Sequence, residues 1–556
     1  MRIGGEVLAR MLAGYGVTHI FHVPAVLRRT MVELEHQTGI KRVRPHSEKS
    51  AAYMADGYAR ASGRPGICMA QVIGALNLAA GLRDAHLAHS PVIAFTGGRD
   101  PSTKFRKVYQ EVDDVPAFEP VTKMNVTVDD AERIPDMLRQ AFRVATSGSP
   151  GPVHLQFRGN EGQVDLDEVT ADESVESRYA RVPPHRPMPA DQTSLQAAVE
   201  LLRTAERPVI VAGGGVRWSG AGPALRELAE RLQVPVATSL NGKDTFPADH
   251  RLSVGVVGTY SRGSANRTVG AADLVCFVGS ETGGMTTHFW QVPTFETPTI
   301  QIDIDPEAIG RNYRPEVGIQ GDARSVLEAM SLLVDGPQAP TPWSDSAVGS
   351  VQTWQDEHAE ELFSDQVPIR PERLCSELTA HAPDDAIIVV DTGHAGMWMG
   401  AMFDVRAEQS YMRSAGHLGW AFPAALGAKC GAPDRPVLCF TGDSGFWYHL
   451  SEIETAVRWG IAAVIIVNNN SGGNQSKRGF DRAYGGRQSE RGARELWQFT
   501  DVNFAAVAEQ IGALGIRVEH GNELAGAIER GFTSGRPTII DVVTDIDALA
   551  PLAVVP

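Results

Sequence analysis

The stretch from Thr441 to Gly472, TGDSGFWYHLSEIETAVRWGIAAVIIVNNNSG, decides the fold class. A strand-type run, PVLCFTGD (436–443), enters it and ends in Gly442-Asp443-Ser444-Gly445. A helical pattern follows, and a second apolar run, AAVIIVNNN (462–470), ends in three asparagines. Continuous apolar strands separated by a helix predict parallel neighbours in a sheet buried on both faces. Both strand ends then lie on one sheet edge, the edge where ligands sit in open α/β sheets. Asp443 and Asn470 are placed to offer a carboxylate and an amide oxygen to one hard cation. Magnesium suits them, because it takes oxygen ligands in octahedral geometry and is usually held by few protein groups plus phosphate oxygens. Ser444 and Gly445, opening a helix, present backbone N–H groups to the same phosphates. Gly472 adds a candidate carbonyl ligand. Alone, GDSG is a turn and an asparagine run is a loop; their order, strand to helix to strand, carries the reading.

The same alternation extends over all 556 residues, through runs such as HIFHV (19–23), PVIAFTG (91–97), RPVIVAGGG (207–215), DLVCFVGS (273–280), TIQIDIDP (299–306), AIIVVDTG (386–393) and PTIIDVVTD (537–545). Two stretches without periodicity, about 160–192 and about 335–371, concentrate Pro, charge and small residues. They divide the chain into segments 1–165, 190–335 and 370–545, each of ordinary domain size. An α/β chain of three doubly wound parallel-sheet domains is expected. The last residues, ALAPLAVVP (548–556), read as a tail or as a flap over a site.

With 43% hydrophobic, 21% charged and 7% aromatic residues, the chain is neither disordered nor a small disulfide scaffold. A net charge of −16 without long blocks of either sign argues against nucleic acid and anionic lipid as partners. Five cysteines, Cys68, Cys276, Cys375, Cys430 and Cys439, lie far apart without CxxC or Cys/His ligand spacing. They read as reduced core thiols rather than disulfides or zinc ligands. Neither a signal peptide nor a membrane-length apolar run stands out, so a cytoplasmic enzyme is expected.

The GDSG element followed by the asparagine run resembles the diphosphate-binding motif of thiamine-diphosphate-dependent enzymes, with Ser444 where that family usually has glycine. The stretch HSEKSAAYMADGYAR (46–60) resembles the acetolactate synthase family, in which a Glu is followed by two Ala and a GYAR element. The resemblance implies that Glu48 is the acid that activates the cofactor. Hydrogen-bonded to the aminopyrimidine ring, such a carboxylate favours the imino tautomer that deprotonates the thiazolium carbon, and the resulting ylide is the nucleophile. SAGHLGWAFPAALGAK (414–429) resembles the element whose bulky residue wedges between the cofactor's rings. Leu418 takes that position and Gly416 permits close backbone approach. DTGHAGMW (391–398) resembles a phosphate-side loop, with Gly393 and His394 as candidates. KVYQEVDDVPAFEPVTKMN (107–125) matches a QE pair before a PVTK element and maps Gln110 to the substrate side.

The resemblance therefore implies a pyrimidine-binding first domain, a central Rossmann-like domain and a diphosphate-binding third domain. It implies thiamine diphosphate and Mg²⁺ as cofactors, and a homo-oligomer, dimer or tetramer, whose active sites form between the first domain of one subunit and the third of another. It implies C–C bond formation or cleavage on a small-molecule 2-oxo acid or related carbonyl, with acetolactate-synthase-like carboligation preferred. A 2-oxo acid decarboxylase and a 2-hydroxyacyl-CoA lyase are the alternatives, and a non-catalytic relative kept for binding or assembly is the alternative of another class.

Several residues depart from the pattern. FHVPA (21–25) puts His22 and Ala25 where the family has glycines, making His22 a candidate acid/base. QVIG (71–74) replaces SGPG. GSETGGMTTHFW (279–290) replaces the basic flavin-contacting stretch, which argues against FAD, whereas another nucleotide, ADP or coenzyme A, suits the same crevice. Lys477 and Arg478 are candidates for an anionic substrate or coenzyme A phosphates.

Overall fold

The computed structural model describes residues 2–188, 191–551 and 553. Its frame is three six-stranded sheets, each parallel throughout. The first has the spatial order Lys41–Val43, His19–His22, Gly66–Ala70, Val92–Gly97, Val153–Phe157, Met124–Val128. The central sheet runs Ser253–Val256, Val236–Thr238, Pro208–Ala212, Leu274–Val278, Thr299–Asp303, Val317–Gln320. The third runs Ser410–Arg413, Ile387–Val390, Val437–Gly442, Val464–Asn469, Thr538–Val543, Leu514–Val518. A short antiparallel pair, Arg2–Ile3 with Glu168–Val169, ties the amino terminus to the stretch after the first sheet.

Alternate residues of the inner strands enter different apolar clusters, which is why these strands read as unbroken hydrophobic runs. In the central sheet Val209 and Val211 join one cluster, and Ile210 and Ala212 join another. In the first sheet Ile67 and Met69 face one way, and Cys68 and Ala70 the other. Cys68 and Ala70 share their cluster with Val389 and Cys439 of the third sheet. A single core therefore joins the first and third domains, and two helices, Glu48–Ser62 and Ala421–Gly431, run through it. All five cysteines are free and buried.

The stretch 335–371 departs from the linker expectation, because it contains the helix Pro342–Glu357. Thr341 and Ser344 form a capping box and Pro342 opens the first turn, while only Ser344, Ala347 and Trp354 are buried. So sparse an apolar stripe leaves little periodicity to read. In the tail, Ala548 and Ala550 are buried in the third domain, whereas Leu552 and residues 554–556 lie outside the described residues. No helix among the described residues is long and apolar enough to cross a membrane.

Candidate active site

Three loops meet at the edge formed by the carboxyl ends of the third sheet. The strand Val437–Gly442 hands over directly to the helix Asp443–Trp447, with Gly442 as its N-cap. Asp443 is 2% exposed. Ser444 N–H donates to its Oδ1 at 2.7 Å and Gly472 N–H to its Oδ2 at 2.8 Å, so the two halves of the motif are joined through this carboxylate. Burial pushes the Asp443 carboxyl up to about 7 despite these bonds. A cation beside it would reverse that shift.

Around Asp443 lie buried polar atoms without a partner: Ser444 Oγ, Asn468 Oδ1 and Asn470 Oδ1. Each such atom costs free energy unless something binds it. Asn469 is already committed, its amide donating to Asp541 at 2.8 Å and to the Val502 carbonyl at 3.0 Å. Its Oδ1 accepts from Ser471 N–H at 3.2 Å, which leaves Asn468 and Asn470 with an oxygen to offer, Asn470 just past the strand end. The donor set of one carboxylate and neutral oxygens suits a hard cation with phosphates. No cluster of three or more His, Cys, Asp or Glu side chains able to hold a metal occurs among the described residues. A site completed by phosphate oxygens has no need of one.

Asp391, which sequence reasoning missed, joins the second and third loops to the first. It is 1% exposed and accepts from Gly419 N–H at 3.1 Å, from Thr392 N–H at 2.8 Å and from Thr441 Oγ at 2.9 Å. Burial pushes its carboxyl up to about 7. A Cβ on Gly445 would stand 2.5 Å from Asp391 Oδ2, so Gly445 is dictated by that carboxylate. The available signal was an Asp at the end of the strand run IIVV. Gly393 has φ +69 and caps the helix His394–Ala401, while His394 is buried with Nδ1 unpartnered. Burial pushes the His394 imidazole down to about 4. Leu418 is half-buried between Gly416, φ +149, and Gly419, φ +86. A Cβ on Gly419 would meet His449 Cδ2 at 3.1 Å.

Glu48 opens the helix Glu48–Ser62, capped by Ser47. Its carboxylate accepts from Asn77 Nδ2 at 3.2 Å and closes on Gly74, where a Cβ would stand 2.6 Å from Oε1. The same helix touches the third domain of its own chain through Ser50 and Tyr53, which meet His449 and His417. Gln110, at φ +62, accepts from Gln71 Nε2 at 3.0 Å and lines a cavity of about 250 Å³ with Val72, Arg99, Tyr109 and Asn160. Sequence departures at Gln71 and Val72 thus sit beside Gln110. His22, the last residue of the strand His19–His22, has Nδ1 buried without a partner, and burial and Arg42 push its imidazole down to about 4, so it is neutral at pH 7. Ala25 keeps φ +74, a conformation that favours glycine. Lys477 is engaged by Asp481 at 3.0 Å and Asp547 at 2.8 Å, and Arg478 reaches the Ala550 carbonyl at 3.3 Å. A further cavity of about 340 Å³ opens at the edge of the central sheet, lined by Gly213, Arg217, Gly279, Asp303 and Arg413 among others.

Comparison with known proteins agrees with this arrangement. The chain matches the thiamine pyrophosphate enzyme N-terminal TPP binding domain over residues 2–117, the central domain over 195–330 and the C-terminal TPP binding domain over 391–542. It is 32% identical to a probable acetolactate synthase large subunit of Methanocaldococcus jannaschii, over 99% of this chain and 93% of that protein. It is 29% identical to acetolactate synthase isozyme 3 large subunit of Escherichia coli, over 98% and 95%. It is 28% identical to the acetolactate synthase large subunit of Lactococcus lactis, over 97% and 92%.

Proposed function

The chain belongs to the thiamine-pyrophosphate-dependent enzymes of the acetolactate synthase large subunit family, and from that premise we propose that it is a Mg²⁺-dependent carboligase joining two small 2-oxo acids or related carbonyls. The observation that carries the metal reading is the unpartnered Asn470 Oδ1 beside the buried Asp443 carboxylate, at the edge where Ser444 and Gly445 begin a helix. Asp443 and Asn470 hold the cation, with the Gly472 carbonyl as a third ligand. Gly442, Ser444, Gly445, Gly393 and His394 surround the diphosphate, and Gly416 and Leu418 shape the seat of the rings.

When bound, thiamine diphosphate supplies a nucleophilic carbon and an electron sink for C–C cleavage and formation. Glu48 of the partner subunit holds the proton at the aminopyrimidine ring, fixed in direction by its own Asn77. Gln110 orients a substrate oxygen, and neutral His22 gives or takes a proton at the mouth of the site. In a single chain Glu48 bonds to its own Asn77, and its helix uses Ser50 and Tyr53 to brace its own third domain. By likeness to the family, the reading takes the chain as a homodimer or larger homo-oligomer in a cytoplasmic setting, with the three domains divided as 1–165, 190–335 and 370–545. The central cavity is assigned to a nucleotide such as ADP or coenzyme A rather than FAD.

A second reading, 2-oxo acid decarboxylation or 2-hydroxyacyl-CoA lysis, is favoured by one observation: His22 supplies a neutral imidazole where the family has glycine. The test is calorimetric titration of thiamine diphosphate with and without Mg²⁺, followed by mass spectrometry of products from a panel of 2-oxo acids and 2-hydroxyacyl-CoAs. Metal-dependent binding and a carboligated product are expected. Absence of binding sinks the cofactor assignment, and an aldehyde as sole product sinks carboligation.

A further inference from the structure

We propose that Asp84 is a positioning residue that sets the third-domain loop 414–419 of its own chain, and through it Leu418, an inference that rests on the cofactor reading above. Asp84 belongs to the first domain, on the helix Ala75–Leu87, and is 1% exposed. Its carboxylate accepts from Ser414 Oγ at 2.9 Å, from Ala415 N–H at 2.9 Å and from His417 N–H at 3.2 Å. The remaining partner is the Arg60 guanidinium at 3.1 Å, which also donates to the Arg413 carbonyl at 2.7 Å, immediately before the loop. Asp84 and Arg60, the latter also paired with Asp56, therefore hold four of the five residues from 413 to 417.

Besides Asp84, the loop is held by Ser414 N–H donating to the Val390 carbonyl at 2.9 Å and by the His417 ring, which meets Tyr53. Gly416 is exposed, with nothing within 4 Å of where a Cβ would stand. Gly416 and Gly419 both occupy the backbone region that favours glycine, so the segment carrying Leu418 is permissive by composition. Charge-assisted hydrogen bonds to a buried carboxylate are about twice as strong as neutral ones, and three of them from this short loop converge on Asp84. Asp391 secures the far end through Gly419 N–H, and Asp84 secures the near end.

Asn77, which holds Glu48, lies seven residues before Asp84, two turns along one face of the same helix. If Glu48 serves the partner's site while Asp84 serves the site of its own chain, one helix aligns parts of two active sites.

Hydrogen–deuterium exchange of the full chain without cofactor, wild type against Asp84→Asn, reads the loop directly. Exchange of a peptide covering 412–422 is expected to rise by roughly tenfold or more, while the strands of both sheets keep their protection. Ser414→Ala leaves the Arg60 pair intact and raises it by a smaller factor. Unchanged loop exchange in the variants that fold overturns the proposal. Mixed dimers assayed with thiamine diphosphate, Mg²⁺ and a 2-oxo acid supply the second arm. With Glu48→Gln and Asp84→Asn on opposite subunits, one site stays intact and about half the activity remains. With both on one subunit, both sites are impaired and activity falls well below that level. Equal activity in the two arrangements overturns the assignment of Asp84 to its own chain's site. If wild type binds no thiamine diphosphate, the cofactor reading fails and the exchange experiment still judges Asp84.

Discussion

A methyl group on Gly57 would stand 1.9 Å from the carbonyl oxygen of Ala424, so these two residues meet backbone to backbone. Gly427 repeats the relation with the Met54 carbonyl, again at 1.9 Å. The helix that begins with Glu48 and the helix that follows the Leu418 loop are pressed together without intervening side chains. This glycine-mediated crossing sets the first domain against the third.

Gly57→Ala forces that contact apart. The neighbour is backbone and cannot swing aside, so a loss of about 3 kcal/mol or more is expected in urea unfolding. A variant as stable as wild type contradicts the crossing described here.

Glu48→Gln removes the acid and keeps the shape. Thiamine diphosphate affinity should change by only a few-fold, whereas proton exchange at the thiazolium carbon, followed by NMR after acid quench, should slow by roughly 10²- to 10⁴-fold. Exchange at the wild-type rate removes Glu48 from its role.

Asp443→Ala and Asn470→Ala act on the cation. Either should weaken thiamine diphosphate binding by on the order of a hundredfold in the presence of Mg²⁺, and chelation should reproduce that loss in wild type. Calorimetry that shows equal affinity with and without Mg²⁺ in wild type contradicts the metal site.

His154 gives the chain an acid-sensitive core. It is fully buried, Nδ1 donates to Asn125 Oδ1 at 2.8 Å, Nε2 accepts from Thr96 Oγ at 2.7 Å, and Phe118 stacks on the ring at 3.5 Å. Burial pushes the imidazole down from 6.5 to about 3. Below pH 6.5 the unfolded chain binds a proton that the folded chain refuses, so this contribution is complete above 6.5 and is lost as pH falls toward 3. The slope is about 1.4 kcal/mol per pH unit. His154→Gln should flatten the pH dependence of stability by one proton, and parallel curves for variant and wild type would refute the neutral assignment.

Much of this molecule is legible along the chain because its signals are local. The runs around Ile387, Val437 and Val464 are apolar on both faces because each strand is covered on both faces, and they end in Gly, Asp and Asn because the ligand edge needs turns and oxygens. Asp443 and Asn470 were readable from the order of strand, helix and strand. The helix Pro342–Glu357 was not, since three buried residues in sixteen leave almost no period.

Chain order and apolar patterning point to the three parallel sheets and to Asp443 and Asn470 as candidates, and the resemblance of its motifs points to the family and to Glu48 and Leu418. They do not reveal that Asn469 is the one of three successive asparagines already engaged, its oxygen by Ser471 N–H and its amide N–H by Asp541, 72 residues away. Nor do they reveal Asp391 as the junction of three loops, or Asp84 as the anchor of a loop 330 residues further on. Those assignments are made by burial. A carboxylate taken out of water must find donors wherever the packed domains bring them, and that proximity exists only once the helices at Gly57 and Ala424 have closed on each other.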